Sequence, residues 1–214
     1  MSLILESHRL HCLCRVCSSL RPTPTRLARP WAASASKFDR CTGVLKAICV
    51  RLAAHGLVTS VSRYTTAYGS SILAQDFAMY PDRDQIDVRV TVDWREQLKM
   101  LKLRFPTHLH FMKVTDEIAY GHIEQFANGE ETPMQRWVDL SGLSNDGEKP
   151  YGFSLLNDGK YSHDVNVRDI GLTVLRSPAY AHHIPTQLEP DGLYQYIDQG
   201  IQRFSYSMLP HAGS

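Results

Sequence analysis

The sequence predicts an all-β protein of the sandwich type. Three observations carry that prediction: apolar and polar residues alternate at a period of two, turn-forming residues punctuate the alternating runs, and neither a βαβ pattern nor a coiled-coil heptad is present. Alternation is clearest in Ile86, Val88, Val90, Val92 and Trp94, which interleave with Asp87, Arg89, Thr91 and Asp93. One face of that strand is apolar and the other charged. The pattern returns in Leu101, Leu103 and Phe105 against Lys102 and Arg104, and in Phe204, Tyr206 and Met208 against Arg203, Ser205 and Ser207. Ile170, Leu172 and Val174 form a further strand, with Arg176 next on the same face.

Turn chemistry separates these runs at Tyr80-Pro81-Asp82, Asn128-Gly129, Asn145-Asp146-Gly147, Asn157-Asp158-Gly159 and Pro190-Asp191-Gly192. Gly, Asn and Asp tolerate positive φ, and Pro fixes φ, so each cluster favours a change of direction. The stretch from Trp94 to Phe105 also fits helical spacing through Leu98 and Leu101, and Glu96 to Lys102 holds good helix formers. The unbroken alternation on both sides predicts instead two strands joined by a turn around Arg95 to Gln97.

Composition narrows the functional classes. With 23 Lys+Arg against 22 Asp+Glu the net charge is +1, which gives no global attraction to nucleic acid or an acidic membrane. No apolar run approaches the roughly 20 residues of a membrane helix, so neither a nucleic acid nor a membrane is expected as a partner. The five cysteines, Cys12, Cys14, Cys17, Cys41 and Cys49, crowd into the first quarter of the chain. A disulfide framework would spread through the domain it staples, so the clustering favours a reducing, cytoplasmic compartment. Cys12, Cys14 and Cys17 offer three of the four ligands of a structural zinc site, and His8 or His11 would complete it only in a cramped loop. The chain is therefore expected to hold no metal. Residues 1–35 are rich in Arg, Ser, Pro and Thr and read as a disordered or unrelated extension, leaving 36–214 as the folded domain.

Several polar groups invite a chemical reading. His122 and Glu124 are two apart, so on a strand they share a face and could offer an imidazole and a carboxylate to a ligand; a hydrogen-bonded pair on a solvated face accounts for them equally. Asn157 and Asp158 sit in a turn where side chains often bond only their own backbone, although loops between strands are also where sandwiches place ligand contacts. His182 and His183 are adjacent and point apart on an extended chain, which makes a poor chelate. A glycosidase needs two carboxylates; Asp93, Glu117, Glu124, Asp158, Asp164 and Asp198 are available, but spacing pairs none of them. No nucleophile elbow, zinc-protease helix or phosphate-binding glycine loop is present.

The segments Ser70 to Asp76, Gln85 to Glu96 and Lys99 to Pro106 resemble the C-terminal region of glycoside hydrolase family 38 α-mannosidases. The order continues through Gly121-His122-Ile123-Glu124, Trp137-Val138-Asp139, Leu155-Leu156-Asn157-Asp158, Leu175-Arg176-Ser177-Pro178 and Pro210-His211-Ala212-Gly213. The resemblance implies a supersandwich like the galactose mutarotase fold, packed in the intact enzyme against an N-terminal catalytic domain. That partner would carry the nucleophile, the general acid and a zinc ion, so the chain itself would have no catalytic residue and no cofactor. The chain would then be the truncated, sugar-facing scaffold of an enzyme that hydrolyses terminal α-D-mannosides, with a mannose-containing oligosaccharide and the N-terminal domain as partners. A vacuolar location is the alternative to the cytoplasm. Arg176 is the foremost candidate to reach the sugar, because a guanidinium fork can bond two hydroxyls at once, with an ion pair to the partner domain as its competing role. Asn157, Asp158, His122 and Glu124 follow by motif membership. The rival readings are a non-catalytic carbohydrate-binding sandwich, which exposed Trp or Tyr platforms would favour, and an inactive truncation product. An interface built for another domain would face water, which predicts self-association.

Overall fold

The computed structural model describes residues 14–18, 43–44, 46–55, 58–144, 147–180, 188–189 and 191–213, with side chains from 63 onward. The described backbone forms two antiparallel sheets. Nine strands make the larger: β3 (Lys46–His55), β4 (Val58–Tyr68), β5 (Ser71–Met79), β6 (Ile86–Trp94), β8 (His110–Ile118), β9 (Gly121–Gln125), β11 (Trp137–Leu143), β12 (Pro150–Asn157) and β15 (Gly200–Ala212). Their spatial order is β3-β4-β5-β6-β15-β12-β11-β8-β9. The smaller sheet holds β1 (Cys14–Ser18), β2 (Gly43–Val44), β7 (Lys99–Pro106), β10 (Asn128–Pro133), β13 (Ser162–Asn166) and β14 (Asp169–Arg176), ordered β10-β13-β14-β7-β1-β2. Within the first 35 residues only Cys14–Ser18 is described, as the strand pairing with β7. The side chains of Cys14 and Cys17, and all of Cys12, lie outside the described residues, as do His182 and His183.

The alternation in the sequence is the alternation of burial. Val88, Val90, Val92 and Trp94 of β6 are at most 2% exposed, while Arg89 between them faces solvent. Leu101, Leu103 and Phe105 of β7 oppose them from the other sheet, joined by Ile170 and Leu172 of β14 and by Phe204 and Tyr206 of β15. Met208 is only partly buried at the margin of this cluster. Inside it, Tyr206 accepts a hydrogen bond from Gln75 Nε2 at its hydroxyl (2.9 Å) and meets the Phe105 ring edge-on at 5.3 Å. Both members of that polar pair are buried and satisfied, which keeps their desolvation cost low.

Residues 95–98 are an open connection, as the two-strand reading expects, but β6 and β7 belong to different sheets. The segment is therefore an arch that carries the chain from one layer to the other. Glu96 holds it: Ser70 N–H donates to Oε1 (3.0 Å) and Lys99 Nζ to Oε2 (2.5 Å). Gly69 has φ +56, and a Cβ there would fall 2.3 Å from Glu96 Oε1, so a larger residue would be strained and would have to displace the carboxylate.

Two expectations are corrected. Asn128-Gly129 does not turn the chain; both residues lie in β10, where Gly129 has φ +80 and the pairing with β13 slips between Asn128 and Glu131. The glycine serves a bulge rather than a hairpin. Arg176 does not share the face of Ile170, Leu172 and Val174. Pairing of β14 with β7 runs Thr173↔Lys102, then Leu175↔Leu101, so Val174 is an extra residue. Val174 and Leu175 are both buried at 3%, and the shifted register turns Arg176 outward to solvent.

The outer face of the smaller sheet carries an ion-pair network. Lys102 joins Glu131 and Asp164, and Arg104 joins Asp164 and Asp169. Burial alone would lower the Arg104 pKa, but the two aspartates raise it above its ordinary value. Between the sheets, His163 of β13 and Asp116 of β8 meet with Nε2 and Oδ1 3.1 Å apart, at 1% and 0% side-chain exposure. The two side chains are close but not aligned for hydrogen bonding: both Asp116 oxygens and His163 Nδ1 lack hydrogen-bond partners.

Such a pair stabilises poorly but is costly to halve. We expect His163→Leu alone to cost about 3 kcal/mol in urea unfolding and the double variant with Asp116→Val to recover most of that loss. Glu96 gives a pH dependence. Burial pushes its carboxyl up, but Lys99 and the Ser70 N–H outweigh it and hold the group below its usual range. Its folded pKa is thus depressed, so its contribution is present near neutrality and drains away as pH falls below about 4. Glu96→Gln should flatten the acid limb of a stability-against-pH curve.

Candidate functional site

Three of the residues singled out in the sequence converge at one end of the sandwich. Asn157 closes β12, Asp158 follows it, and Arg176 closes β14. The segment leading into β15 joins them: the Arg176 backbone N–H donates to Asp198 Oδ2 (3.1 Å), and Gln202 Nε2 donates to the Asp198 carbonyl (3.3 Å). Lys160 Nζ donates to Gln202 Oε1 (3.1 Å) and lies 4.9 Å from the centre of the Phe204 ring. Burial lowers the Lys160 pKa, against the opposing pull of Asp198 and Asp158. Asp158 is pinned by Ser205, whose N–H donates to Oδ1 (2.8 Å), while Asp158 N–H donates to the Ser205 carbonyl (3.1 Å).

The local sequence explains each placement. Asn157 is 7% exposed, and its Oδ1 accepts from the N–H groups of Gly159 (3.1 Å) and Lys160 (2.6 Å) while its Nδ2 donates to the Arg136 carbonyl (3.4 Å). It is therefore the turn-former that aims Asp158 and Lys160, in keeping with the backbone-bonding reading of the Asn-Asp-Gly turn. Ser177, fully buried, anchors the other side. Its Oγ accepts from the Trp94 indole N–H (3.1 Å), and its carbonyl and N–H bond Leu98 N–H (2.7 Å) and the Lys99 carbonyl (2.9 Å). Arg176 is thus held between the bulge and a serine clamp. Its guanidinium is exposed and forms no ion pair among the described residues.

His122 and Glu124 stand apart. Both are exposed on β9, the outermost strand of the larger sheet, three strands and about 14 Å from β12. They do share a face, but Glu124 pairs with Lys113 (2.7 Å) and the His122 ring faces Trp137 at 6.5 Å. Of the carboxylates considered for hydrolysis, Asp164 is neutralised by Lys102 and Arg104, Asp93 pairs with Arg95, and Glu117 caps Arg136 N–H. Asp158 and Asp198 alone among them share a cation, Lys160. Among the described residues no three His, Cys, Asp or Glu side chains gather as a metal-ligand set. His211 is occupied structurally: Nε2 lies 2.8 Å from Asp139 Oδ1, reaching across Gly152, where a Cβ would fall 2.0 Å from the imidazole.

The arrangement is a loop-end cluster of two cations, two carboxylates and an amide, mixed donors and acceptors on a rigid two-sheet frame. It defines a β-sandwich domain with a polar cluster at one end. The family model described as "Glycosyl hydrolases family 38 C-terminal domain" matches residues 40–192, and the chain belongs to that family. It is 29% identical over 153 residues to alpha-mannosidase 2C1 of Mus musculus and 32% identical over 155 residues to alpha-mannosidase G of Dictyostelium discoideum. Each alignment covers 68% of this chain but only 13% and 12% of those relatives, so the chain spans about an eighth of their length. A family 38 glycosyl hydrolase from Enterococcus faecalis superposes with a TM-score of 0.63 at 13% identity, over 79% of this chain and 23% of that one. An alpha-mannosidase from Enterococcus faecalis V583 gives 0.61 over 79% and 22%, again at 13% identity. These likenesses establish the fold as that of the family. No helix among the described residues is long and apolar enough to cross a membrane.

Gln202 carries no sequence signal, because a glutamine in a polar strand start is ordinary. Lys160 is marked only by its place beside Asn157-Asp158. Removing the clamp should be visible: Ser177→Ala leaves the Trp94 indole unpaired in the core, and we expect it to cost about 1–3 kcal/mol by urea unfolding.

Proposed function

We propose that this chain is the carbohydrate-facing scaffold of a family 38 α-mannosidase, which supports hydrolysis of terminal α-D-mannosides by a separate zinc-bearing catalytic domain. The observation that carries the proposal is the exposed Arg176, whose backbone is set by the bulge and by its N–H bond to Asp198, the residue that links it to Gln202, Lys160 and Asp158. A guanidinium fork bonds vicinal hydroxyls, and neighbouring carboxylates accept from them, a donor and acceptor mix suited to a mannose-containing oligosaccharide. Asn157 acts by shaping the loop and Asp158 by facing it. His122 and Glu124, on the far edge strand, have no part in this cluster. Residues 36–214 are the domain in this reading, and the crowding of cysteines toward the N-terminus favours the cytoplasm.

A free-standing carbohydrate-binding module is less well supported. Such modules stack sugars on exposed aromatic platforms; Tyr120, Tyr161 and Tyr180 are exposed but lie outside the cluster's hydrogen bonds, Trp94 is 2% exposed and bonded inward to Ser177, and Trp137 is partly buried.

The test is hydrolysis of a chromogenic α-mannoside by the chain alone, then mixed with a separately expressed family 38 N-terminal domain and zinc. We expect silence alone and activity on mixing. Arg176→Ala should then lower kcat/KM of the mixture by about 10- to 100-fold, the worth of a charged hydrogen bond. Activity from the chain alone, or a mixture indifferent to Arg176→Ala, would overturn the proposal.

A further inference from the structure

The Gly-His-Ile-Glu strand is not used by the site above, and its geometry points elsewhere. β9 is the outermost strand of the larger sheet, joined to β8 by a two-residue turn that closes on Ile118↔Gly121. The closing pair of such a hairpin exchanges both hydrogen bonds, and bonded pairs then alternate along the ladder. Asp116↔Ile123 and Val114↔Gln125 are thus bonded pairs, and Glu117↔His122 and Thr115↔Glu124 are not. The Glu117 carbonyl agrees with this, because it turns the other way and accepts from Gln135 N–H (2.9 Å). It follows that the backbone N–H and C=O groups of His122 and Glu124 point outward from the sheet edge.

We propose that β9 is a dimerisation edge, pairing antiparallel with β9 of a second copy of this chain about a two-fold axis at Ile123. An axis there sets His122 opposite Glu124 of the second copy, and Glu124 opposite its His122. The outward backbone groups of these residues would exchange hydrogen bonds in both pairs. The imidazole and carboxylate would also lie side by side, a contact that forms whether the ring is neutral or charged. Neighbouring two-fold registers are disfavoured, because an axis at His122 or at Glu124 sets like against like. The flanks obey the same symmetry: Tyr120 in the turn and Phe126 beyond the strand, 108% and 85% exposed, fall opposite each other at either end. On the other face Ile123, 44% exposed, meets its own copy with Ile118, 38% exposed, behind it.

The sequence Tyr120-Gly121-His122-Ile123-Glu124-Gln125-Phe126 is therefore self-complementary about its centre. A closed two-fold pairing of this kind joins identical surfaces and buries both exposed edges at once.

Sedimentation equilibrium of the 214-residue chain should give twice the monomer mass of 24.2 kDa at micromolar concentration. Glu124→Pro removes an outward N–H without touching the ladder to β8, and should raise the dissociation constant about tenfold or more with an unchanged far-UV circular dichroism spectrum. Glu124→Lys should weaken the dimer similarly by facing a cation to His122, and combining it with His122→Glu should restore association. A monomeric wild-type chain, a dimer indifferent to these single substitutions, or a double variant as weak as Glu124→Lys would overturn the proposal.

Discussion

The structure depends on two apolar stripes meeting across the sandwich: Val88, Val90, Val92 and Trp94 on β6, and Leu101, Leu103 and Phe105 on β7. They are separated by a single four-residue arch, yet they belong to opposite sheets. Burying both stripes requires the chain to cross between layers at once, and that crossing fixes where the sheets lie relative to one another. Each stripe removes several large side chains from water, worth about 1.5–3 kcal/mol apiece before the entropy of ordering them is counted. The polar bonds of the arch then settle its path. Glu96 gathers Ser70 and Lys99, and Ser177 ties Trp94 and Lys99 to the end of β14. Arg176 takes its position from these contacts rather than from any interaction of its own side chain.

Much of this was legible in the sequence. Period-two alternation named the core residues of β6, β7 and β15 because one buried face imposes it directly. The Trp94–Phe105 ambiguity resolves the same way: helical propensity is worth tenths of a kcal/mol per residue, less than the burial of a stripe on each side. Sheet membership was not legible, since the same alternation suits a hairpin or an arch. The bulge in β14 was equally hidden. Thr173-Val174-Leu175 offers two adjacent apolar residues, and only the register against Lys102 and Leu101 shows that both are buried and that Arg176 faces out. Asn128-Gly129 misled for a related reason: positive φ at glycine suits a turn and a bulge alike.

The candidate site was half legible. Asn157, Asp158 and Arg176 were marked by motif, and the fold brings them together from the ends of two strands in different sheets. Gln202 and the partnership of Asp198 with Lys160 required the start of β15 to lie beside both, which no local spacing encodes. The Asp116–His163 contact was hidden for the same reason: its members come from different sheets, and the lone carboxylate after Val114 on β8 has no local partner to announce its burial. The outer faces follow another logic: small residues such as Gly152 admit long polar side chains that reach across a strand, as His211 does to Asp139.

The arch and its Ser177 clamp thus make one unit with the core and hold the Arg176 backbone in place. Amide hydrogen exchange read at Leu98, Lys99 and Ser177 is the measurement to make, because the N–H of each is bonded between the arch and the clamp. These amides should exchange as slowly as those of Val90 and Leu103, through the same cooperative opening. Exchange at the rate of a free surface loop, while β6 and β7 stay protected, would show instead that the arch opens independently of the core.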